Sequence, residues 1–154
     1  MKLVLFDLDG TLVESTRIIE NVMISALKYL KNLEYSLAII SGASIEKIKK
    51  QLNAHIYLFD YIFSENGVVS YVNNNNQLEL LNSKDIRNII SEDNIQRIVN
   101  HVLKFIINIK LPYKRGRFIS FRKGMLYCTP IGGDCSLEER KHFIEYDKKF
   151  NIRK

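Results

Sequence analysis

The chain holds only two prolines, seven glycines and two cysteines in 154 residues. So little proline and glycine excludes a collagen-like or low-complexity protein, and 46% hydrophobic with 26% charged residues excludes intrinsic disorder. No run approaches the ~20 apolar residues that span a bilayer, which rules out a membrane-spanning helix. Cys128 and Cys135 are the only cysteines. The opening Met1-Lys2, followed at once by an apolar run ending in acid, lacks a signal-peptide cleavage pattern. Both features point to a reduced, cytosolic setting. A chain of this size buries about 70% of its unfolded surface, enough for one core or for a small core with an appended lobe.

Acidic residues are missing from Lys110 to Lys123, where Lys110, Lys114, Arg115, Arg117, Arg122 and Lys123 cluster. The net charge of +6 is correspondingly uneven: residues 1–78 carry 7 Lys+Arg against 8 Asp+Glu, and the remaining 16 basic and 9 acidic groups lie in residues 79–154. The second half is therefore the one that attracts an anion, either a phosphorylated small molecule or a nucleic acid; a plain solvated basic face is the alternative. No nucleic-acid-binding motif accompanies the basic run, so nucleic-acid binding is the weaker reading.

Apolar patterning divides the chain in the same way. Lys2 to Asp7 reads as a strand buried on both faces of a parallel sheet. Residues 18–31 show helical spacing, Leu37 to Ile40 a second strand, Ile45 to Leu52 a helix, and Tyr57 to Phe63 a third strand. That alternation predicts an α/β fold: a partial Rossmann-like parallel-sheet core over residues 1–80, closed by a hairpin through Asn73 to Asn76. Residues 81–154 form an incomplete α+β cap. A long helix over Asn94 to Ile109 carries Ile95, Ile98, Val102, Phe105 and Ile109 on one stripe and stops before Pro112. A hairpin spans Arg117 to Thr129, and Ser136-Leu137-Glu138-Glu139 has the form of a capping box opening a last helix toward Lys149.

Asp7-Leu8-Asp9-Gly10-Thr11-Leu12 follows the first strand directly. Two carboxylates at i and i+2, with a glycine that lets the chain curl away, suit nucleophilic attack on phosphorus by Asp7 and proton transfer by Asp9. The same pair suits Mg²⁺, and the carboxyl ends of parallel strands are where open α/β sheets place their sites. A turn with an N-cap aspartate is the plain structural alternative. Ser41, at the end of the second strand, fits a phosphoryl-binding hydroxyl and equally a cap for the helix beginning near Ile45.

The Asp-x-Asp-Gly-Thr-Leu stretch resembles the first motif of haloacid dehalogenase superfamily phosphotransferases, with Ser41 similar to the second. Further stretches resemble the eukaryotic-type phosphomannomutases: Asp60 to Gly67, Lys110-Leu111-Pro112, Lys114-Arg115-Gly116, Phe121 to Met125, Pro130-Ile131-Gly132, Cys135-Ser136, Glu138-Glu139-Arg140 and Asn151-Ile152-Arg153. The resemblance implies interconversion of mannose 6-phosphate and mannose 1-phosphate through an aspartyl-phosphate, for GDP-mannose supply. It further implies Mg²⁺ held by Asp7 and Asp9, a hexose bisphosphate activator, and a homodimer formed through the cap. Arg122 and Arg140 inherit the grip on the distal phosphate, and Arg17 does so from a loop one residue longer than the family's. A sugar phosphatase, or an inactive partner that pairs through its cap, are the competing readings.

Two departures from the family pattern bear on activity. Gly133, followed by Asp134, stands where the family places another phosphate-gripping arginine. The rest of the cap and the returning core segment, with its lysine and further metal ligands, are not among these 154 residues, so the expectation is impaired turnover by this chain alone.

Overall fold

A computed structural model describes residues 2–14 and 17–153. Strand β1 (Lys2–Asp7) leads through helix α1 (Asn21–Asn32) to β2 (Tyr35–Ile40), and β2 leads through α2 (Ile45–Leu52) and a 3-10 turn (Asn53–Leu58) to β3 (Tyr61–Ser64). Strands β1, β2 and β3 are parallel neighbours in that order. The sheet then reverses: β4 (Val69–Asn74) and β5 (Gln77–Ser83) add antiparallel to β3. Asn75 and Asn76, at φ 51° and 62°, make the two-residue turn between them, as a tight hairpin with both central residues left-handed requires.

Right-handed crossovers that step in one direction place both helices on the same face of the sheet. That face carries the core. Val4, Phe6, Leu37, Ile39 and Ile62 meet Ile24 and Leu27 of α1, Ile48 and Leu52 of α2, and Ile56 and Phe59 of the turn that follows. The opposite face is different: Leu3 and Leu5 are 50% and 51% exposed, so β1 is not the doubly buried strand expected from its apolar run. It is an edge strand with one covered face among the described residues.

Other boundaries shift for local reasons. Ile18 precedes α1 and is exposed. Tyr57 and Leu58 belong to the 3-10 turn rather than to β3, because Asn53 leaves α2 at φ 49° and Asp60 is taken up elsewhere. Its carboxylate accepts from the Leu37 amide at 2.8 Å and from Lys31 Nζ at 2.9 Å, which ties the start of β3 to the middle of β2.

The contacts separate two compact units, residues 1–85 and 86–154. In the second, α3 (Glu92–Asn108) starts at Ser91, whose hydroxyl accepts from the Asn94 amide. Its buried residues are Ile95 and Ile106; Ile98 and Phe105, expected on the buried stripe, are 42% and 46% exposed. Strands β6 (Ile119–Phe121) and β7 (Leu126–Cys128) form an antiparallel hairpin. Helix α4 (Leu137–Phe150) has the anticipated capping box, with Ser136 Oγ accepting from the Glu139 amide at 3.1 Å and Glu139 accepting from the Ser136 amide at 2.9 Å. A small core of Ile131, Cys135 and Phe143 packs with Leu111, Tyr113, Tyr146 and Ile152. Cys128 and Cys135 are both unpaired thiols.

Two carboxylates of α4 give this unit a pH dependence. The Ser136 amide and the Arg115 guanidinium hold Glu139 below its ordinary value, and Arg153 does the same for Asp147. A depressed folded value stabilises at pH above the unfolded value, and that contribution is lost as pH falls through the folded one. The second unit should therefore lose stability as pH drops below about 4. Glu139→Gln with Asp147→Asn should flatten melting temperature against pH there; an unchanged slope would contradict this.

Candidate active site

β1 and β2 end side by side, with Asp7 opposite Ile40 in the parallel register. Asp7 and Ser41 therefore sit at the carboxyl ends of adjacent strands, which lie about 4.8 Å apart in any sheet. Asp7 is exposed and makes no side-chain hydrogen bond or ion pair among the described residues. An exposed carboxylate at a strand end is within reach of an incoming phosphate, as a nucleophile toward phosphorus must be.

Beyond Asp7 the chain curls tightly. Leu8 is fully buried and its carbonyl accepts from the Leu12 and Val13 amides at 3.0 and 3.1 Å, while the Gly10 amide donates to the Val13 carbonyl at 2.7 Å. Gly10 sits at φ +88°, a conformation costly for any residue with a Cβ. The curl leaves Asp9 half-buried against α2. Gln51 Nε2 donates to one Asp9 oxygen at 2.9 Å, and Lys47 Nζ pairs with the other. Lys47 and Gln51 are one helical turn apart, so they face Asp9 together.

Sequence reasoning missed both of these residues. A lysine and a glutamine at i and i+4 on an amphipathic helix read as its solvated face, and nothing local distinguishes them. Gln51 is only 3% exposed, and that burial is a tertiary fact. If Asp9 transfers protons, Lys47 and Gln51 set its position. Lys47→Met should then slow transfer by about 10- to 100-fold, the scale of a misplaced catalytic group, while ligand affinity stays constant. A parallel loss of affinity would argue against that positioning role.

Ser41 is 5% exposed, and its Oγ accepts from the Ala43 amide at 3.1 Å. It does not cap α2: the N-cap is Ser44, which makes no side-chain capping bond. The Ser41–Ala43 loop is gripped from beneath by residues 65–67. The Glu65 amide donates to the Ala43 carbonyl at 3.0 Å and the Asn66 amide to the Ser41 carbonyl at 2.9 Å. Glu65, Asn66 and Gly67 all have positive φ, at 50°, 58° and 86°. Consecutive left-handed residues carry strain that surrounding structure must hold, and such strain gathers at functional loops.

Arg17 is not brought into this cluster. It pairs with Glu14 at 3.6 Å, both side chains about two-thirds exposed, and shares no hydrogen bond or ion pair with Asp7, Asp9 or Ser41 among the described residues. In the second unit, Arg122 lies over the Tyr127 ring at 4.6 Å. Arg140 is half-buried, its guanidinium donating to the carbonyls of Gly133 at 2.7 Å and Cys135 at 3.2 Å.

The donor set can be tested against Mg²⁺. That ion commonly binds through one or two carboxylates, completing its shell with water and substrate phosphate oxygens. Asp7 supplies a carboxylate, and no group of three or more metal-binding side chains occurs among the described residues. The set meets the minimum, with Asp7 as the ready ligand; the Asp9 carboxylate is already engaged by Lys47 and Gln51.

Comparison with known proteins agrees with these features. A family model described as eukaryotic phosphomannomutase matches residues 23–154. The phosphomannomutase of Babesia bovis is 39% identical over 153 residues, covering 99% of this chain and 61% of that protein. The phosphomannomutase of Oryza sativa subsp. indica is 38% identical over 152 residues, covering 98% and 59%. The chain thus spans about three fifths of the length of the curated relatives it matches. Among solved structures, a mutant of the Plasmodium falciparum IMP-nucleotidase with IMP bound superposes with a TM-score of 0.57 at 18% identity, covering 99% of this chain and 46% of that one. A haloacid dehalogenase-like hydrolase from B. subtilis gives 0.52 at 19% identity, covering 68% and 34%. At those identities the two structures speak for the fold alone, whereas the sequence matches run through both units: this chain belongs to the eukaryotic phosphomannomutase family.

Proposed function

We propose that the chain carries the nucleophile and the first phosphate-binding groups of a phosphomannomutase, interconverting mannose 6-phosphate and mannose 1-phosphate with a hexose bisphosphate as activator. The observation that supports this best is the placement of Asp7, Asp9 and Ser41 around the carboxyl ends of β1 and β2 in a member of this family.

In the proposed reaction an Asp7 oxygen attacks phosphorus of the bisphosphate and the bond from phosphorus to the sugar oxygen breaks. Asp9 gives its proton to that leaving oxygen. A mannose 1-phosphate next presents its free 6-hydroxyl, Asp9 takes that proton, and the phosphoryl group passes from Asp7 to the oxygen to give the bisphosphate. The bisphosphate turns, its 1-phosphoryl group passes to Asp7 while Asp9 returns the proton to the leaving 1-oxygen, and mannose 6-phosphate departs. The Ser41 hydroxyl and the strained loop beneath it position the phosphoryl oxygens. Mg²⁺, held by Asp7 and by the chain at Asp9, would supply neutralisation of phosphate charge. Arg122 and Arg140 hold the phosphate that is not reacting, by bidentate hydrogen bonding suited to the guanidinium fork, and Arg17 is a further candidate for that grip.

The same reading covers assembly and place. Ile98 and Phe105, exposed seven residues apart on one side of α3, leave an apolar strip that a second copy would cover, forming a homodimer through this unit. Two unpaired thiols fit a cytosolic setting. No helix among the described residues is long and apolar enough to cross a membrane.

The test is an assay with mannose 1-phosphate, Mg²⁺ and hexose bisphosphate that follows mannose 6-phosphate and free inorganic phosphate together. Isomer formation from the chain supports the mutase reading. Inorganic phosphate alone would make it a phosphatase, and neither product under any supplementation would remove the catalytic reading.

A further inference from the structure

In the second unit, residues 115–118 and 129–134 run past one another as a zipped pair. The Arg115 amide donates to the Ile131 carbonyl at 2.8 Å, the Thr129 amide to the Phe118 carbonyl at 2.8 Å, and the Gly133 amide to the Arg117 carbonyl at 3.0 Å. The pair is packed so closely at Gly132 that a Cβ there would fall 1.8 Å from the Arg115 carbonyl oxygen. Gly133 beside it has no side chain, so the turn presents bare backbone.

Three arginines belong to this stretch and the helix after it, and two of them, Arg117 and Arg140, reach Gly133. Arg115 is paired with Glu139. Arg140 is anchored by the carbonyls of Gly133 and Cys135, with no carboxylate partner among the described residues, so its charge is held in place without being neutralised. Arg117 is the unusual one. Its backbone is left-handed, at φ 56°, in a position where glycine or asparagine would rest without strain. That conformation throws its side chain across the pair: Arg117 Nε lies 3.8 Å from where a Cβ on Gly133 would be. A strained residue of this kind, which re-aims its side chain over a cleared surface, is a signature of a functional contact. The guanidinium is 69% exposed and held by Asp134, whose Oδ1 accepts from Nε at 2.6 Å.

We propose that Arg117 is a phosphate-binding residue which shares the surface over Gly133 with Arg140, and that Asp134 is an internal counter-ion which the incoming phosphate displaces. The ligand class is a sugar phosphate monoester, so this rests on the function proposed above and deepens it. The cation that the family pattern places at position 133 is supplied here from position 117 on the facing segment. A dianionic phosphate offers the Arg117 fork two oxygens and reaches Arg140 as well, whereas Asp134 neutralises Arg117 alone. Ligand binding is thus an exchange of anions on one guanidinium, and Asp134 sets its strength.

The test titrates the 154-residue chain and its variants with mannose 1-phosphate by calorimetry. Arg117→Gly should weaken binding at least about 10-fold, the scale of a lost charge-assisted hydrogen bond. Its melting temperature should stay level or rise, since glycine relieves the left-handed backbone, so weaker binding cannot be put down to unfolding. Asp134→Asn should tighten binding by about 2- to 5-fold, as removal of an exposed competing partner allows, and the double variant should lose that gain. Arg117→Lys should fall between wild type and glycine. If Arg140→Ala weakens binding while Arg117→Gly and Asp134→Asn leave it unchanged, this inference is overturned and the mutase reading stands. If the wild-type chain binds no mannose 1-phosphate, both fall.

Discussion

Asp7→Asn is expected to remove phosphoryl transfer, lowering the rate of mannose phosphate interconversion on the order of 10³-fold or more. The amide keeps the size and the strand-end position of the carboxylate but has no charge with which to attack phosphorus. Removing a nucleophile that works as a unit with its partners leaves only the catalysis due to binding and preorganised dipoles. The fold should not suffer, because Asp7 is exposed and its side chain holds nothing together among the described residues. Rates of isomer formation, read beside an unchanged melting temperature, check this. Interconversion surviving near wild-type rate in Asp7→Asn would mean that another group accepts the phosphoryl.

Asp9→Asn should act differently in kind. In the proposed reaction Asp9 moves protons rather than phosphorus, so its loss should slow both half-reactions by about 10²–10⁴-fold while some phosphoryl-enzyme still forms. It also has a structural consequence that Asp7→Asn lacks. Lys47 loses its carboxylate partner. The pair is about one-third exposed, so breaking it should move stability by no more than about 1 kcal/mol. A slow variant that is still folded, with label accumulating on the chain, is the predicted signature; an unchanged turnover rate would dismiss Asp9 from proton transfer.

The parts of this site that are legible in the sequence are those written locally. Asp7-Leu8-Asp9-Gly10 directly follows an apolar run, and the structure puts it at the end of β1 with Gly10 at the positive φ that the curl needs. The capping box at Ser136 and Glu139 is likewise local and stands as expected, and the turn expected over Asn73 to Asn76 tightens to Asn75 and Asn76, with Asn73 and Asn74 ending β4. Long-range facts are not written that way. The partnership of Asp9 with Lys47 and Gln51 joins residues about forty positions apart through the packing of α2 on the curl. The exposure of Leu3 and Leu5 follows from strand order, which an apolar run cannot specify. Tyr57-Leu58 has a strand-like composition, and only the break at Asn53 and the anchoring of Asp60 show why it turns instead. The stripe on α3 fails for a related reason: Ile98 and Phe105 have the right spacing but no surface in this unit to cover them.

The central claim is that Asp7 becomes phosphorylated, and one measurement addresses it without requiring complete turnover. The chain is incubated with Mg²⁺ and hexose bisphosphate carrying a labelled phosphoryl group, quenched in acid, and digested to locate the label. The account predicts a hydroxylamine-labile acyl-phosphate on the peptide containing Asp7, present in Asp9→Asn and absent from Asp7→Asn. Label that resists hydroxylamine, that maps to another peptide, or that persists in Asp7→Asn would contradict it.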